Sequence, residues 1–285
     1  MTGLEHIPFT KMHGAGNDFV VLDLRERSEP TPELCAAMSN RNTGIGCDLV
    51  LGIEPPRSPG ALVSFRIWTS DGQTSQQCGN GARCVAAWAQ RTGLAASNAF
   101  QLDSPSGPIE ITSLGHDTYS LKLAPPSFNP DALPLSGFQN QSPPYSLKTP
   151  EGNVIRIGTV SMGNPHAVIE VQDLTDAPVK TVGQLLQNAP ELPDTICVGF
   201  VEVVDPDHLR LRVFEFGAGE TLACGSGACA AASYLMQQGR VSRVVSVSMP
   251  GGTLQITWPD DHQAPITMTG PAAFVFEGEF AYATI

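Results

Sequence analysis

The sequence lacks the features that mark a nucleic-acid-binding or membrane-spanning protein. It has no run of lysines or arginines, and its formal net charge is -12, so a phosphate backbone is not an expected partner. No apolar stretch approaches the ~20 residues that span a bilayer, and the first residues do not follow the pattern of a signal peptide. We therefore expect a cytoplasmic protein that binds a small molecule and neither nucleic acid nor membrane.

Common motifs for bound nucleotides and metals are also missing. The glycine-rich stretches contain neither a Gly-Lys-Ser/Thr motif nor a dinucleotide-binding fingerprint. The seven cysteines are an odd number spread over 285 residues, which does not fit the disulfide framework of a small secreted protein. Free thiols are expected, and no closely spaced pair of ligands indicates a zinc site.

What the sequence does contain is an internal repeat. The stretch "QQCGNGARCVAAW" around Cys78 closely matches "TLACGSGACAAAS" around Cys224. In both, a cysteine precedes a Gly-x-Gly and an alanine-rich segment that ends at a glycine, Gly93 or Gly239. This pattern predicts two buried helices, each begun by the cysteine and closed by a glycine C-cap.

The segments around these helices repeat as well and alternate like strands. Thus "VSFRIWTSDG" matches "LRLRVFEFGAG", and "FQLDSPSGPIEI" matches "VSVSMPGGTLQI". We predict an α+β fold of two pseudo-symmetric domains, each a curled, mostly antiparallel sheet around a central helix. A proline-rich connection over 125–144 separates the domains. The predicted domains are 1–126 plus 272–285, and 127–271.

The position of the two cysteines indicates their chemistry. A helix N-terminus carries partial positive charge and unpaired N–H groups, which favour a thiolate and attract an anion such as a carboxylate. In a duplicated chain, Cys78 and Cys224 can flank one bound anion and exchange protons with opposite faces of its α-carbon. A disulfide between them, or a zinc site that adds His166, are the alternatives. Cys84 and Cys229 lie inside the helices and are expected to be core residues.

Five motifs resemble the signatures of the diaminopimelate epimerase family, in order and across nearly the whole chain. They read "KMHGAGNDFVV", "RNTGIGCD", "SDGQTSQQCGNGARC", "SMGNPHAV" and "GAGETLACGSGACA". The resemblance implies a cofactor-independent two-base mechanism on an amino acid, two similar α+β domains, and often a homodimer. It assigns Cys78 and Cys224 as the catalytic acid/base pair.

The resemblance also carries over substrate-binding residues. The α-carboxylate site falls on the backbone N–H groups of four residues at the two helix starts: Gly79, Asn80, Gly225 and Ser226. The residues that contact or orient the amino group are Asn17, Asn164, His166 and Glu215. A carboxylate such as Glu215 suits an ammonium, and an asparagine side chain can donate or accept.

Three positions depart from the family pattern. Phe216 stands where the family has an arginine, and Thr69 and Cys197 stand where it has asparagines. In the family these positions help to hold the second head group of diaminopimelate. Phe cannot replace the charge-assisted grip of an arginine on a carboxylate, so the substrate specificity is expected to be altered.

We therefore predict an amino-acid racemase or epimerase that acts on a single-headed amino acid. Histidine is a candidate, because racemases that resemble this family act on it. Diaminopimelate epimerase itself is the alternative within the family. Relatives of the fold with different chemistry and a non-enzymatic amino-acid sensor are the alternatives of other classes.

Overall fold

The computed structural model describes residues 4–76, 78–138, 143–150 and 152–283. Its helices are α1 (Pro32–Ser39), α2 (Gly79–Arg91), α3 (Val179–Gln187) and α4 (Gly225–Gln237). Its strands are β1 (Leu4–Gly14), β2 (Asn17–Asp23), β3 (Leu49–Glu54), β4 (Ala61–Thr69), β5 (Thr74–Ser75), β6 (Ala99–Ser104), β7 (Gly107–Gly115), β8 (Thr118–Leu123), β9 (Tyr145–Lys148), β10 (Val154–Ser161), β11 (Pro165–Glu170), β12 (Cys197–Asp205), β13 (His208–Glu215), β14 (Gly219–Thr221), β15 (Val244–Met249), β16 (Gly252–Thr257), β17 (Ile266–Pro271) and β18 (Ala273–Ala283). Within the described residues, every helix is too short or too polar to cross a membrane.

The chain divides into two compact units, which we describe separately. The first unit comprises Met1–Leu121 with Thr269–Ile285, and the second comprises Lys122–Met268. The boundaries expected from the sequence lie a few residues later at both points. In the proline-rich connection, Pro130–Ala132 form one turn of 3₁₀ helix, and residues 139–142 lie outside the described residues.

The two units repeat the same order and sense of strand pairing. In the first unit the neighbours run β18, β1, β2, β3, β4, β6 and β7, with parallel pairs at β2/β3 and β4/β6 and antiparallel pairs elsewhere. In the second they run β9, β10, β11, β12, β13, β15 and β16, with parallel pairs at β11/β12 and β13/β15. The short strands β5 and β14 pair with β4 and β13. The predicted duplicated α+β fold is confirmed.

Each unit curls its sheet around one buried helix. In the first unit α2 packs on β1, β2, β3, β4 and β6, and in the second α4 packs on β10, β11, β12, β13, β15 and β16. The alanines of both helices are buried on all sides. Their small side chains let the strands approach closely. Because strands pack on the helix from several sides, its alanine-rich part has no face that needs to be polar.

The two central helices also end in the same way. Gly93 and Gly239 have φ angles of 76° and 66°, the left-handed conformation that glycine adopts at low cost. The N–H groups of Leu94 and Arg240, the residues that follow, bond back to the carbonyls of Ala89 and Leu235, both at 3.0 Å. Both ends are therefore Schellman motifs, and the predicted glycine C-caps are confirmed.

Candidate active site

In the first unit Cys78 is the N-cap of α2. Its backbone is extended, with φ -154° and ψ 100°, and the first intrahelical bond runs from the N–H of Ala82 to its carbonyl at 2.9 Å. Its sulfur accepts the N–H of Gly81 at 3.3 Å. The N–H groups of Gly79 and Asn80 lie in the first turn of α2, before that first helical bond.

The sulfur of Cys78 contacts a side-chain amide as well as the backbone N–H of Gly81. Asn17 places Oδ1 3.7 Å from the Cys78 sulfur, where it accepts the S–H, and also accepts from Asn80 Nδ2 at 3.3 Å. Arg83, fully buried in α2, donates to Asn80 Oδ1 at 2.6 Å and to the carbonyl of Pro271 at 3.1 Å. Three of the predicted site residues are thus in contact. We call this group, Asn17, Cys78, Gly79 and Asn80, the first cysteine site.

In the second unit Cys224 is the N-cap of α4, with φ -123° and ψ 109°. Its thiol donates to Glu215 Oε2 at 2.9 Å and lies 3.6 Å from the hydroxyl of Ser226. Thr221 donates its hydroxyl to the other oxygen of the same carboxylate, Oε1. We call this group, Glu215, Thr221, Cys224, Gly225 and Ser226, the second cysteine site.

The acidity expected for a helix N-terminal cysteine is wrong for Cys224. Its side chain is buried, with 4% exposure. Burial, and after it the negative charge of Glu215, raise the pKa of Cys224 well above the ordinary value of a thiol. Both effects act against the helix dipole, so Cys224 is a protonated thiol in this conformation.

Two further predicted site residues, His166 and Asn164, contact each other in the second unit. His166 is 1% exposed, and burial lowers its pKa from 6.5 to about 4, so its ring is neutral near pH 7. Its Nε2 lies 3.2 Å from Asn164 Oδ1, which assigns the proton to Nε2. Among the described residues Nδ1 has no hydrogen-bond partner, and it is therefore a buried acceptor.

The three altered positions present no positive charge of their own. Thr69 gives its hydroxyl to the carboxylate of Asp71 and lies 2.9 Å from the carbonyl of Gln73. The sulfur of Cys197 lies 4.0 Å from Asn164 Nδ2, and burial raises its pKa to about 11. Phe216 follows Glu215 directly and is 53% exposed.

Two polar residues of the sites were not singled out from the sequence. Asp48 accepts from Asn17 Nδ2 at 2.8 Å, and Thr221 holds Glu215 as described above. Both lie inside family motifs, "RNTGIGCD" and "GAGETLACG". The signal was present, but a pattern of residue types does not show which side chain orients which.

Cys35, Cys47, Cys84 and Cys229 are buried cysteines outside the two cysteine sites. All seven are free thiols, and Cys84 and Cys229 are completely buried in their helices, as predicted. Among the residues that the structure describes, no group of three or more His, Cys, Asp or Glu side chains is arranged to hold a metal ion.

Solved structures with this fold include epimerases and their relatives. A hydroxyproline epimerase from Agrobacterium vitis superposes with a TM-score of 0.74 and 16% identity, over 100% of this chain and 95% of that chain. A phenazine biosynthesis protein of the PhzF family from Bacillus anthracis gives 0.69 and 16%, over 96% of this chain and 99% of that chain. Identities this low establish the fold alone.

The curated relatives of this chain are amino-acid racemases and epimerases, which places it in that class of isomerase. The family model of diaminopimelate epimerase matches residues 9–127 and 158–275. O-ureido-serine racemase from Streptomyces lavendulae is 57% identical over 279 residues, 98% of this chain and 97% of that protein. Diaminopimelate epimerase from Xanthomonas euvesicatoria pv. vesicatoria (strain 85-10) is 55% identical over 273 residues, 95% of each chain. The chain belongs to the diaminopimelate epimerase family. The predicted enzyme class is confirmed, and the alternative of a non-enzymatic sensor is set aside.

Proposed function

We propose that this protein interconverts the two enantiomers of an amino acid with a single head group and an uncharged side chain. Cys78 and Cys224 are the two bases. One thiolate removes the α-proton, and the C–H electron pair stays on the α-carbon beside the carboxylate. The thiol of the other cysteine then delivers a proton to the opposite face. Because the two sulfurs have exchanged protonation states, the same pair catalyses the reverse reaction.

The head group has complementary partners at both cysteine sites. The first-turn N–H groups of α2 and α4, at Gly79, Asn80, Gly225 and Ser226, receive the carboxylate and stabilise the charge that develops during proton removal. Glu215 receives the ammonium. This ion pair offsets the carboxylate charge that raises the pKa of Cys224, so substrate binding makes that sulfur a better base.

The observation that carries the choice of side chain is Phe216. A diaminopimelate substrate has a second carboxylate, and an exposed phenyl ring at this position cannot donate to it. An unpaired carboxylate in a closed site costs about 2 to 5 kcal/mol, which corresponds to roughly 30-fold to several thousand-fold in affinity. An uncharged side chain avoids this penalty and can pack on the ring.

O-ureido-serine is the first candidate substrate, because its distal group is uncharged and the 57% identical relative bears that name. Histidine, the candidate from the sequence, is the second. The alternative is diaminopimelate, which the relatives at 55% identity favour. For that substrate, residues other than Phe216 have to hold the distal carboxylate.

The test is hydrogen exchange at the α-carbon. Reduced protein is incubated in deuterated water with O-ureido-L-serine, L-histidine or LL-diaminopimelate, and loss of the α-proton is followed by NMR with chiral chromatography of the product. We expect exchange with inversion on a single-headed substrate. The Cys78→Ser/Cys224→Ser double variant is the matched blank. Efficient turnover of diaminopimelate with none on the other two would overturn the proposed substrate class and leave the two-base mechanism standing.

A further inference from the structure

The side-chain amide of Asn17 lies between a carboxylate and the sulfur of Cys78. Its Nδ2 donates to Asp48 Oδ2 at 2.8 Å, and its Oδ1 lies 3.7 Å from the Cys78 sulfur. An ionised carboxylate only accepts hydrogen bonds, so it binds the NH₂ end of an amide and not the carbonyl end. Asp48 therefore favours the orientation in which the oxygen of Asn17 faces the sulfur, and Asn80 Nδ2, which donates to that oxygen at 3.3 Å, supports it.

Asp48 is itself held by a balanced group of charges. Arg41 donates to Asp48 Oδ1 at 2.7 Å and grips both oxygens of Asp18 at 2.7 and 2.9 Å. The N–H of Asp48 donates to Asp18 Oδ1 at 2.9 Å, and Lys11, only 7% exposed, donates to Asp18 Oδ2 at 2.5 Å. Two cations and two carboxylates thus fix the end of β2 that carries Asn17.

The orientation of this amide matters because its two ends have opposite effects on a thiol. An oxygen that accepts the S–H stabilises the protonated form, whereas an N–H that donates to the sulfur stabilises the thiolate. Cys78 already accepts one N–H, from Gly81 at 3.3 Å, and lies at the positive end of α2. The oxygen of Asn17 acts in the opposite direction to these two groups.

We propose that Asp48 is a positioning residue for racemisation, because it holds the Asn17 amide with its oxygen toward Cys78. In this way Asp48 sets the balance between thiol and thiolate at the first cysteine site. The proposal rests on the proposed function for its catalytic consequence. Its effect on the sulfur itself is measurable without any substrate.

The experiment follows alkylation of Cys78 by iodoacetamide as a function of pH. Trypsin cleaves after Arg66 and Arg83, so the peptide 67–83 contains Cys78 as its only cysteine, and mass spectrometry reads that site alone. In Asp48→Asn, the introduced amide can offer its own NH₂, so the acceptor that fixes the Asn17 amide is lost and only Asn80 Nδ2 still holds its oxygen toward the sulfur. We expect the alkylation midpoint to fall by about one pH unit and kcat to fall about tenfold, with KM little changed.

Two further variants separate positioning from folding. Asp23→Asn, at the other end of the strand β2 that carries Asn17, loses an ion pair with Arg25. It is expected to leave the alkylation midpoint of Cys78 unchanged. In an Asn17→Ala background, Asp48→Asn is expected to produce no further shift of the midpoint. A shift of equal size in that background, or a wild-type midpoint in the folded Asp48→Asn variant, would overturn the proposal. If no amino acid is turned over but the midpoint shifts as expected, the proposed function fails and Asp48 keeps its role in setting the thiol.

Discussion

The N-termini of α2 and α4 share a backbone design and differ in their chemical surroundings. Cys78 lies among amides: its sulfur accepts from Gly81 and faces the oxygen of Asn17. Cys224 is buried against a carboxylate and donates its proton to Glu215 at 2.9 Å. Duplication thus preserved the cysteine at the N-cap position, the Gly-x-Gly and the Schellman motif of each helix. The side-chain cap bond made by Cys78 has no counterpart at Cys224, and the polar residues facing each sulfur differ.

In the proposed mechanism this difference is expected to give the two thiols unequal resting states. Burial and the charge of Glu215 hold Cys224 as a thiol, so in the proposed mechanism it starts as the proton donor. The sulfur of Cys78 accepts the N–H of Gly81 at the positive end of α2, so in the proposed mechanism we expect Cys78 to begin as the base. A two-base enzyme needs one protonated and one deprotonated sulfur, and unequal surroundings supply that pair better than two identical sites would.

Replacing one cysteine at a time is the strongest test of whether each sulfur serves one face of the α-carbon. We expect Cys78→Ala and Cys224→Ala each to lower racemisation by about 10² to 10⁴-fold, the range typical of a lost general acid or base. Each variant should still exchange the α-proton of one enantiomer through its remaining cysteine, and the two variants should prefer opposite enantiomers. NMR in deuterated water with each pure enantiomer measures this.

The control for these variants is Cys35→Ala, which removes a buried thiol that belongs to neither site. It should retain both directions of exchange, apart from any loss of folded protein. If Cys78→Ala and Cys224→Ala exchanged the same enantiomer equally well, the assignment of one face to each sulfur would be wrong.

Phe216 tests the side-chain specificity that accompanies the second cysteine site. Phe216→Arg restores a cation beside Glu215, and we expect kcat/KM for diaminopimelate to rise roughly 30-fold or more, because a charge-assisted pair with the distal carboxylate becomes available. Activity on a single-headed substrate should fall. Steady-state assays of both substrates compare the variant with Phe216→Leu, which stays uncharged. An equal rise with leucine would show that size and not charge limits the reaction.

The sequence predicts the parts of this comparison that depend on local pattern. The glycine caps at Gly93 and Gly239 and the cysteine N-caps follow from residue types at fixed spacing. The high pKa of Cys224 does not, because it depends on burial and on a carboxylate brought close by the pairing of β13 and β14. The contact between Asp48 and Asn17 does not follow from local pattern either, because it joins residues distant in the chain.

Acidification should affect the stability of the two units differently. The residues responsible are Asp18 and His166, which occupy the second position of the equivalent strands β2 and β11. Burial acts to raise the pKa of Asp18, but hydrogen bonds from Arg41 and Lys11 lower it from 3.8 to about 2. The pKa of His166 falls from 6.5 to about 4 through burial. Between its folded-state and unfolded-state pKa, each residue binds fewer protons in the folded protein than in the unfolded chain. Its contribution to the free energy of unfolding is therefore complete above the unfolded-state pKa and is lost as the pH decreases.

The second unit should therefore lose stability first. From about pH 7.5 to about pH 5, His166 alone should lower the free energy of unfolding by about 2 kcal/mol, before Asp18 is affected. Urea unfolding at the two pH values measures this, and His166→Asn should show a much smaller difference between them. His208→Asn, at a histidine bonded to Ser248, is the matched control. An unchanged pH dependence in His166→Asn would contradict a buried neutral imidazole.

Glu215→Gln makes the second site chemically more like the first, since an amide then faces each sulfur. Burial continues to raise the pKa of Cys224, but the charge of Glu215, the next largest cause, is gone, so alkylation of Cys224 should begin at lower pH. KM should rise about tenfold because the substrate ammonium loses its ion pair. Glu220→Gln, which breaks the exposed pair with Arg212, should change neither quantity. If Cys224 became easier to alkylate without any rise in KM, Glu215 would tune the thiol and the ammonium would bind elsewhere.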